Sequence, residues 1–81
     1  MKTVKYTVTG KVQGVWFRAS TKQEAENLGM TGYAHNLVSG QVEVMATGSD
    51  KQHDSLNRFL NKGPELANVD KVEKETCGLV E

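Results

Sequence analysis

The residues best placed to do chemistry lie in the stretch 10–18, Gly-Lys-Val-Gln-Gly-Val-Trp-Phe-Arg. Successive backbone N–H groups in a glycine-containing turn, together with a helix N-terminus, form a concavity that favours anions. The guanidinium of Arg18 adds a planar fork of donors that matches phosphate or carboxylate. The stretch therefore predicts an oxyanion-binding loop. On spacing alone, a strand-to-helix turn with a surface arginine explains it equally well.

Two better-known glycine loops do not fit this stretch. The chain has no Gly-Lys-Ser or Gly-Lys-Thr sequence, and Gly10 and Gly14 do not form a G-x-G-x-x-G pattern. The P-loop and the dinucleotide-binding turn both depend on those glycine spacings to bring the backbone against a phosphate. The sequence therefore excludes both of these nucleotide-binding loops.

The loop is predicted to connect a strand to a helix. Residues 2–9 alternate, with Val4, Tyr6 and Val8 on one face, as expected of a half-buried strand. After the loop, the sequence Ser-Thr-Lys-Gln-Glu at 20–24 supplies hydroxyl groups followed three residues later by Gln or Glu, a pattern typical of a helix start. We predict a helix over 21–28 that ends at Gly29.

A hairpin of two strands is predicted next. Residues 30–37 form a second strand interrupted by Gly32, with Met30 and Tyr33 among its apolar positions, and a short turn at 38–40 leads into a third strand over 41–47. The third strand alternates cleanly. Its apolar face carries Val42, Val44 and Ala46.

The last two elements are a helix and a charged strand. Ser49 or Asp50 is a suitable N-cap for the helix, and Leu56, Phe59 and Leu60 form one apolar stripe along it. The Gly-Pro pair at 63–64 ends the helix. Residues 69–74, Val-Asp-Lys-Val-Glu-Lys, are predicted to form a fourth strand, and their many charged side chains are typical of an edge strand.

The predicted order is strand, helix, strand, strand, helix, strand. Right-handed crossovers place both helices on one face of a mostly antiparallel sheet. This is an α+β fold of the ferredoxin-like, split β-α-β type (βαββαβ). Because that fold supports many functions, it does not by itself define an activity.

Composition narrows the class of protein. Eighty-one residues suffice for a single domain over 1–81, and ten basic residues balance ten acidic ones, which disfavours a nucleic acid or a membrane surface as partner. No apolar run is long enough to span a bilayer. A lone cysteine, Cys77, favours a reducing, cytoplasmic setting. We expect a monomer that acts on a small molecule.

At the level of motifs, residues 10–18 resemble the signature of the acylphosphatase family, glycine-x-valine-glutamine-glycine-valine-x-phenylalanine-arginine. Residues 32–43, Gly-Tyr-Ala-His-Asn-Leu-Val-Ser-Gly-Gln-Val-Glu, resemble the second family motif, in which a glycine-aromatic-x-basic-asparagine run leads into a glycine hairpin. Gly63-Pro64 followed by Ala67 and Val69 resembles a third, weaker marker. Together the motifs span almost the whole chain in the expected order.

The resemblance implies hydrolysis of acyl phosphates to a carboxylate and inorganic phosphate, without a metal or another cofactor. It assigns the catalytic roles to Arg18, which would hold the phosphate oxygens, and to Asn36, which would orient the attacking water. The phosphate-binding loop would run from Gln13 to Arg18 and would comprise Gln13, Gly14, Val15, Trp16, Phe17 and Arg18. Within that loop, Gln13 is expected to shape the turn rather than to react.

Two features depart from the family pattern. His35 stands where the family usually has lysine or arginine before the asparagine, so any electrostatic contribution from this position would depend on pH. Family members also commonly carry a final aromatic-x-isoleucine-basic segment that forms a short last strand, and the 81 residues do not include it. The 81 residues therefore do not predict what packs beside the strand that this segment would join.

Two other functions are alternatives to an enzyme: RNA binding and anion binding without catalysis. An RNA-binding ferredoxin-like domain would need exposed aromatic residues on its first and third strands and a basic surface, which this sequence lacks. A catalytically silent anion-binding module would use the same loop, and only an assay separates it from an enzyme. His35 and His53 have no third ligand, so no metal site is predicted, and His53 is expected on the solvated surface of the second helix.

Overall fold

The computed structural model describes residues 1–14, 16–64 and 67–79. Its strands form one four-stranded antiparallel sheet in the order β2-β3-β1-β4. The predicted βαββαβ order is thereby confirmed. Neither helix in these ranges is long and apolar enough to cross a membrane. The elements are β1 (Lys2–Lys11), α1 (Phe17–Asn27), β2 (Thr31–Asn36), β3 (Val42–Gly48), α2 (Asp50–Lys62) and β4 (Asn68–Leu79).

One apolar core lies between the sheet and the two helices. The predicted inward faces of β1 and β3 are buried, and α1 and α2 add residues to the same cluster, which places both helices on one face of the sheet. This confirms the predicted ferredoxin-like arrangement. The fully buried members of the core include Tyr6, Val8, Phe17, Val42, Leu56 and Leu60.

Helix α1 begins at Phe17, four residues earlier than predicted. Phe17 is only 1% exposed, and its burial fixes the first turn of the helix against the core. No side chain caps this helix, so the hydroxyls of Ser20 and Thr21 lie within it rather than at its start. As a consequence, Arg18 lies on the first helical turn and not in the loop that precedes it. The predicted stop is confirmed, since Gly29 follows the helix with a φ of 79°.

The fourth strand is longer than the predicted 69–74 and lies at the edge of the sheet, as predicted. It pairs with β1 almost from end to end, and the register shifts between Thr9 and Gly10. At that irregularity the two backbones approach so closely that a Cβ on Gly10 would collide with the Asn68 carbonyl. The first glycine of the 10–18 stretch therefore serves strand pairing rather than anion binding.

Strand β2 is shorter than the predicted 30–37, and only one of its two named apolar positions is buried. Met30 precedes the strand and belongs to the core, whereas Tyr33 is exposed. In the register, Tyr33 lies opposite Met45, on the sheet face that carries no helix. Its ring stacks on that of His35, with centroids 5.1 Å apart. The hairpin turn itself is confirmed, because the Leu37 N–H donates to the Gln41 carbonyl at 2.8 Å.

His53 is buried, and the prediction that it lies on a solvated surface is wrong. It is 4% exposed on the inner side of α2, which Ser49 caps with a reciprocal bond to Gln52. The Lys2 carbonyl, 2.9 Å from Nε2, can only accept, so Nε2 carries the proton. Nδ1 therefore accepts from the Tyr6 hydroxyl at 2.7 Å. Two hydrogen bonds thus compensate the burial of the imidazole, a compensation that the local sequence did not reveal.

The buried Tyr6 hydroxyl is expected to make the fold sensitive to alkaline pH. Burial, aided by the nearby Asp54 carboxylate, raises the pKa of Tyr6 from 10.0 to about 12. Between pH 10 and about pH 12, the folded chain keeps the proton of the Tyr6 hydroxyl, which the unfolded chain releases. Stability is therefore fully present below pH 10 and falls as the pH rises, by about 1.4 kcal/mol per pH unit from this group.

Urea unfolding of the wild type and of Tyr6→Phe from pH 8 to 11 tests this expectation. Other groups titrate similarly in both proteins, so the stability difference between them isolates Tyr6. Near neutral pH the variant is less stable by about 1–3 kcal/mol, because Nδ1 of His53 loses its donor. That difference should shrink above pH 10. A constant difference up to pH 11 would contradict the raised pKa.

Thr21 carries a buried hydroxyl whose Oγ1 finds no hydrogen-bond partner in the part of the chain described. The residue is 1% exposed on the inner face of α1. Thr21→Val keeps the β-branched shape and removes the desolvation penalty, so we expect the free energy of unfolding to rise by about 1 kcal/mol. Thr21→Ser, which keeps the hydroxyl and loses a methyl group, should lower it. Thermal unfolding of both variants checks this, and a destabilised Thr21→Val would mean that the hydroxyl is paired in solution.

Candidate functional site

A cleft of about 430 Å³ opens where β1 passes into α1, and the end of β2 forms its other wall. Most of the predicted site residues that the structure describes line it: Gly14, Trp16, Phe17, Arg18 and Asn36. Val12 and Ala19 complete the lining. Neither was predicted as a site residue, although their positions beside the predicted loop were the available signal. Val15, also predicted to bind phosphate, lies outside the described residues.

Arg18 stands on the first turn of α1 with its side chain exposed. The first N–H groups of a helix have no partner within the helix, and the macrodipole adds partial positive charge there. Within the described ranges Arg18 takes part in no ion pair, so its guanidinium is available to an anion. The start of α1 thus combines a full positive charge with backbone donors, as a phosphate requires.

Trp16 supplies the sharp entry into the helix. Its φ of 63° and ψ of 19° are left-handed, and it is the one non-glycine residue of the described chain with a positive φ. Such a backbone costs an L-residue about 1–2 kcal/mol. Trp16 is 78% exposed beside the cleft, whereas the next residue, Phe17, is in the core. Strain and an exposed aromatic ring coincide at the cleft, as is common at functional sites.

Asn36 is the last residue of β2 and belongs to the helix-covered face of the sheet. It lies opposite Val42, whose side chain is fully buried. The neighbouring His35 lies opposite Glu43 on the other face, and its Nε2 is 3.0 Å from Glu43 Oε2. Because alternate residues of a strand point to opposite faces, His35 does not point into the cleft with Asn36. Its imidazole is thus engaged by Glu43, on the face away from the cleft.

Gln13 ties the loop to the β2–β3 turn. Its side-chain amide donates to the Leu37 carbonyl at 2.9 Å and to the Gln41 carbonyl at 3.0 Å. The Gln41 side chain in turn donates to the Thr9 hydroxyl at 2.9 Å. Since Leu37 follows Asn36 directly, these bonds hold the end of β2 against the loop that leads to Arg18. The geometry fits the predicted loop-shaping role of Gln13.

Metal-binding groups are not clustered in the part of the chain that the structure describes. No three histidine, cysteine or acidic side chains come together there in a way that would hold a metal ion. His53 is occupied by Tyr6 and the Lys2 carbonyl, and His35 by Glu43. Independence from metal therefore stays a prediction, which an assay with a chelator can test.

Known proteins are similar to this chain in both sequence and fold. The family model for acylphosphatase matches residues 4–80. An acylphosphatase from Xanthomonas euvesicatoria is 44% identical over 79 residues, covering 98% of this chain and 90% of that protein. One from Alkalilimnicola ehrlichii is 49% identical over 74 residues, covering 91% and 83%.

Solved structures give the same result. An acylphosphatase from Coxiella burnetii superposes with a TM-score of 0.91 at 39% identity, covering 99% of this chain and 84% of that one. The Bacillus subtilis acylphosphatase superposes with a TM-score of 0.94 at 27% identity, covering 100% and 90%. Family model, sequence relatives and fold agree over nearly the full length. The chain therefore belongs to the acylphosphatase family.

Proposed function

We propose that this chain hydrolyses acyl phosphates with Arg18 as the phosphate-binding cation and Asn36 as the residue that orients the attacking water. As a member of its family the chain is an acylphosphatase, an enzyme that cleaves acyl phosphates. The observation that carries the residue assignment is that Arg18 and Asn36, from two different elements, line the same cleft. Gly14, Trp16 and Phe17 line it as well, beside the backbone of the proposed phosphate loop.

The phosphate group would lie at the start of α1. Its non-bridging oxygens would accept hydrogen bonds from the Arg18 guanidinium and from backbone N–H groups between Gln13 and Arg18. Phosphoryl transfer passes through a loose transition state that spreads charge over these oxygens, so positioning and electrostatic stabilisation supply most of the catalysis. The cleft can supply both positioning and electrostatic stabilisation, so the proposed reaction needs no covalent intermediate.

Asn36 faces the phosphate from the opposite wall. A side-chain amide donates through its nitrogen and accepts through its oxygen, so it can hold a water molecule with a lone pair directed at phosphorus. The new bond forms between the water oxygen and phosphorus, and the bond from phosphorus to the acyl oxygen breaks to release the carboxylate. The water proton passes to a phosphate oxygen. This route explains a cleft whose described lining contains no carboxylate or imidazole to act as a base.

Release of inorganic phosphate from benzoyl phosphate, corrected for spontaneous hydrolysis, tests the function directly. Turnover separates an enzyme from a silent anion-binding module with the same loop. If the pure, folded chain bound phosphate but did not accelerate hydrolysis, this result would contradict the catalytic roles proposed for Arg18 and Asn36.

The same assay is expected to show activity that does not need a metal and is inhibited by the product. Turnover in excess EDTA should equal turnover without it, because the proposed site uses a guanidinium and backbone donors. Inorganic phosphate should inhibit competitively, since a cleft that binds the phosphate of the substrate also accepts the free ion. A loss of activity in chelator that one divalent ion restores would contradict the proposal.

A further inference from the structure

The loop that precedes α1 is held by the core at its two ends and much less between them. Val12 and Phe17 are each only 1% exposed, so burial fixes both ends. Of the described residues between them, Gly14 has a left-handed backbone with no described atom within 4 Å of where a Cβ would stand, and Trp16 is largely exposed. The position of the middle of the loop therefore depends on the hydrogen bonds of the Gln13 side chain.

Gln13 holds the peptide group that follows Asn36. Its side-chain nitrogen donates to the Leu37 carbonyl at 2.9 Å and to the Gln41 carbonyl at 3.0 Å. The Gln41 carbonyl also accepts from the Leu37 N–H at 2.8 Å. That N–H belongs to the planar peptide group between Asn36 and Leu37. Both sides of Leu37 are thus fixed, and with them the backbone that carries the Asn36 side chain.

Gln41, the second acceptor, is itself anchored by its side chain. Its amide nitrogen donates to the Thr9 hydroxyl of β1 at 2.9 Å, and its amide oxygen accepts from the Ser39 hydroxyl at 2.8 Å. These four residues form what we call the Gln13–Gln41 network: Thr9, Gln13, Ser39 and Gln41. Residues 38–40 of the turn are exposed, so the network rather than burial holds the turn against the loop.

The side chain of Gln13 is not part of the surface that would meet the substrate. Among the described residues that line the cleft are its neighbours Val12 and Gly14, but not Gln13. Its nitrogen is committed to two backbone carbonyls, and the polar atom that remains is an oxygen, which cannot donate a hydrogen bond to phosphate. Any effect of this side chain on the reaction must therefore pass through the groups that it holds.

Arg18 is positioned by a different contact. Burial of Phe17 fixes the first turn of α1, and Arg18 lies on that turn. When the network is broken, the phosphate would therefore keep its place at Arg18, whereas Asn36 on the opposite wall would shift.

We propose that Gln13 is a positioning residue that sets the distance between phosphorus and the water held by Asn36, by tying the end of β2 to the loop. This inference rests on the proposed function. Reacting atoms must lie close together and in line, and a misplacement of about 1 Å can cost about a hundredfold in rate. A tie made of two hydrogen bonds to adjacent backbone is suited to prevent such a displacement.

Gln13→Met tests this role, because methionine is similar in length, uncharged and without a hydrogen-bond donor. We expect kcat for benzoyl phosphate to fall by between about tenfold and a hundredfold. The dissociation constant for inorganic phosphate, measured by calorimetry, should stay within about threefold, since the contact of Arg18 with the anion is kept. Gln23→Met makes the same substitution at an exposed position of α1 and should leave both quantities within about twofold.

Double-mutant cycles separate positioning from a general loosening of the fold. Asn36→Ala should lower kcat by about a hundredfold in the wild type but by about tenfold or less in Gln13→Met, because a misplaced Asn36 has little left to contribute. Arg18→Gln should lower kcat/KM by the same factor in both backgrounds. A loosened fold would instead leave the cost of Asn36→Ala unchanged.

Gln13→Asn is the second variant if Gln13→Met does not fold. It keeps the amide on a shorter side chain, so it weakens the two hydrogen bonds without burying an apolar group. It should show the same coupling to Asn36 with a smaller fall in kcat.

Three results would overturn the positioning role and leave the proposed function intact. They are a wild-type kcat in the folded Gln13 variant, a loss of phosphate affinity as large as that of Arg18→Gln, and an equal cost of Asn36→Ala with and without the Gln13 side chain. An Asn36→Ala enzyme with wild-type kcat would overturn both proposals, and so would a wild-type chain that does not accelerate hydrolysis.

Discussion

Arg18→Gln is expected to lower kcat/KM for benzoyl phosphate by about a thousandfold or more. Removing one preorganised donor from a developing oxyanion costs about 2.7–4 kcal/mol, or a hundred- to thousandfold in rate. Arg18 carries a full charge and two or more donors, and it acts in both binding and turnover, so the loss should lie at or beyond the upper end. Glutamine keeps a polar side chain of helix-compatible length.

The other arginine of the chain provides a matched control. Arg58 lies on the exposed side of α2 and contacts only Ser55 weakly, at 3.5 Å, within the described residues. Arg58→Gln removes the same charge from the same protein and should leave kcat/KM within about twofold. Unfolding curves should show that both variants are folded. An Arg18→Gln enzyme with more than about half the wild-type kcat/KM would remove Arg18 from the proposed mechanism.

Asn36→Ala is expected to reduce kcat and kcat/KM together by about a hundredfold or more, while phosphate affinity stays nearly unchanged. The amide is proposed to act on the water rather than on the anion. Removing an interaction made mainly in the transition state lowers turnover without weakening ground-state binding. Calorimetric titration with inorganic phosphate at fixed ionic strength measures that affinity, since salt screens the contact.

Comparison of three variants makes the two roles separable. Arg18→Gln should lose both phosphate affinity and turnover, Asn36→Ala should lose turnover alone, and Asn27→Ala, an exposed asparagine at the end of α1, should lose neither. If Asn36→Ala bound phosphate as poorly as Arg18→Gln while remaining folded, Asn36 would be an anion ligand. The water-orienting role would then have to be abandoned.

Several elements of the fold could be predicted from the sequence because their signals are local. The alternation in β1 and β3 depends on the two-residue period of a strand, and the end of α2 depends on the restricted backbone of a Gly-Pro pair. Ser49, one of the two predicted N-cap residues, caps α2, because a capping hydroxyl bonds the backbone a few residues away.

The errors arose where a residue's environment is formed by distant parts of the chain. The hydroxyl residues at 20–21 resembled a helix start. Burial of Phe17 in the core instead places the start of α1 at residue 17. His53 seemed to face solvent because its neighbours in sequence are polar. Its partners, Tyr6 and the Lys2 carbonyl, come from β1 at the other end of the chain.

For the site, the sequence alone determined the residue types and their order: a glycine-marked loop that ends in Arg18, and an asparagine before a hairpin. Tertiary structure decided which of them meet. Antiparallel pairing of β2 with β3 turns Asn36 toward the cleft and His35 toward Glu43 on the opposite face. Gln13 then joins the loop to the hairpin through two backbone carbonyls. The physical reason is that side-chain chemistry is a property of single residues, whereas the direction of a side chain and the contacts it makes depend on strand register and burial.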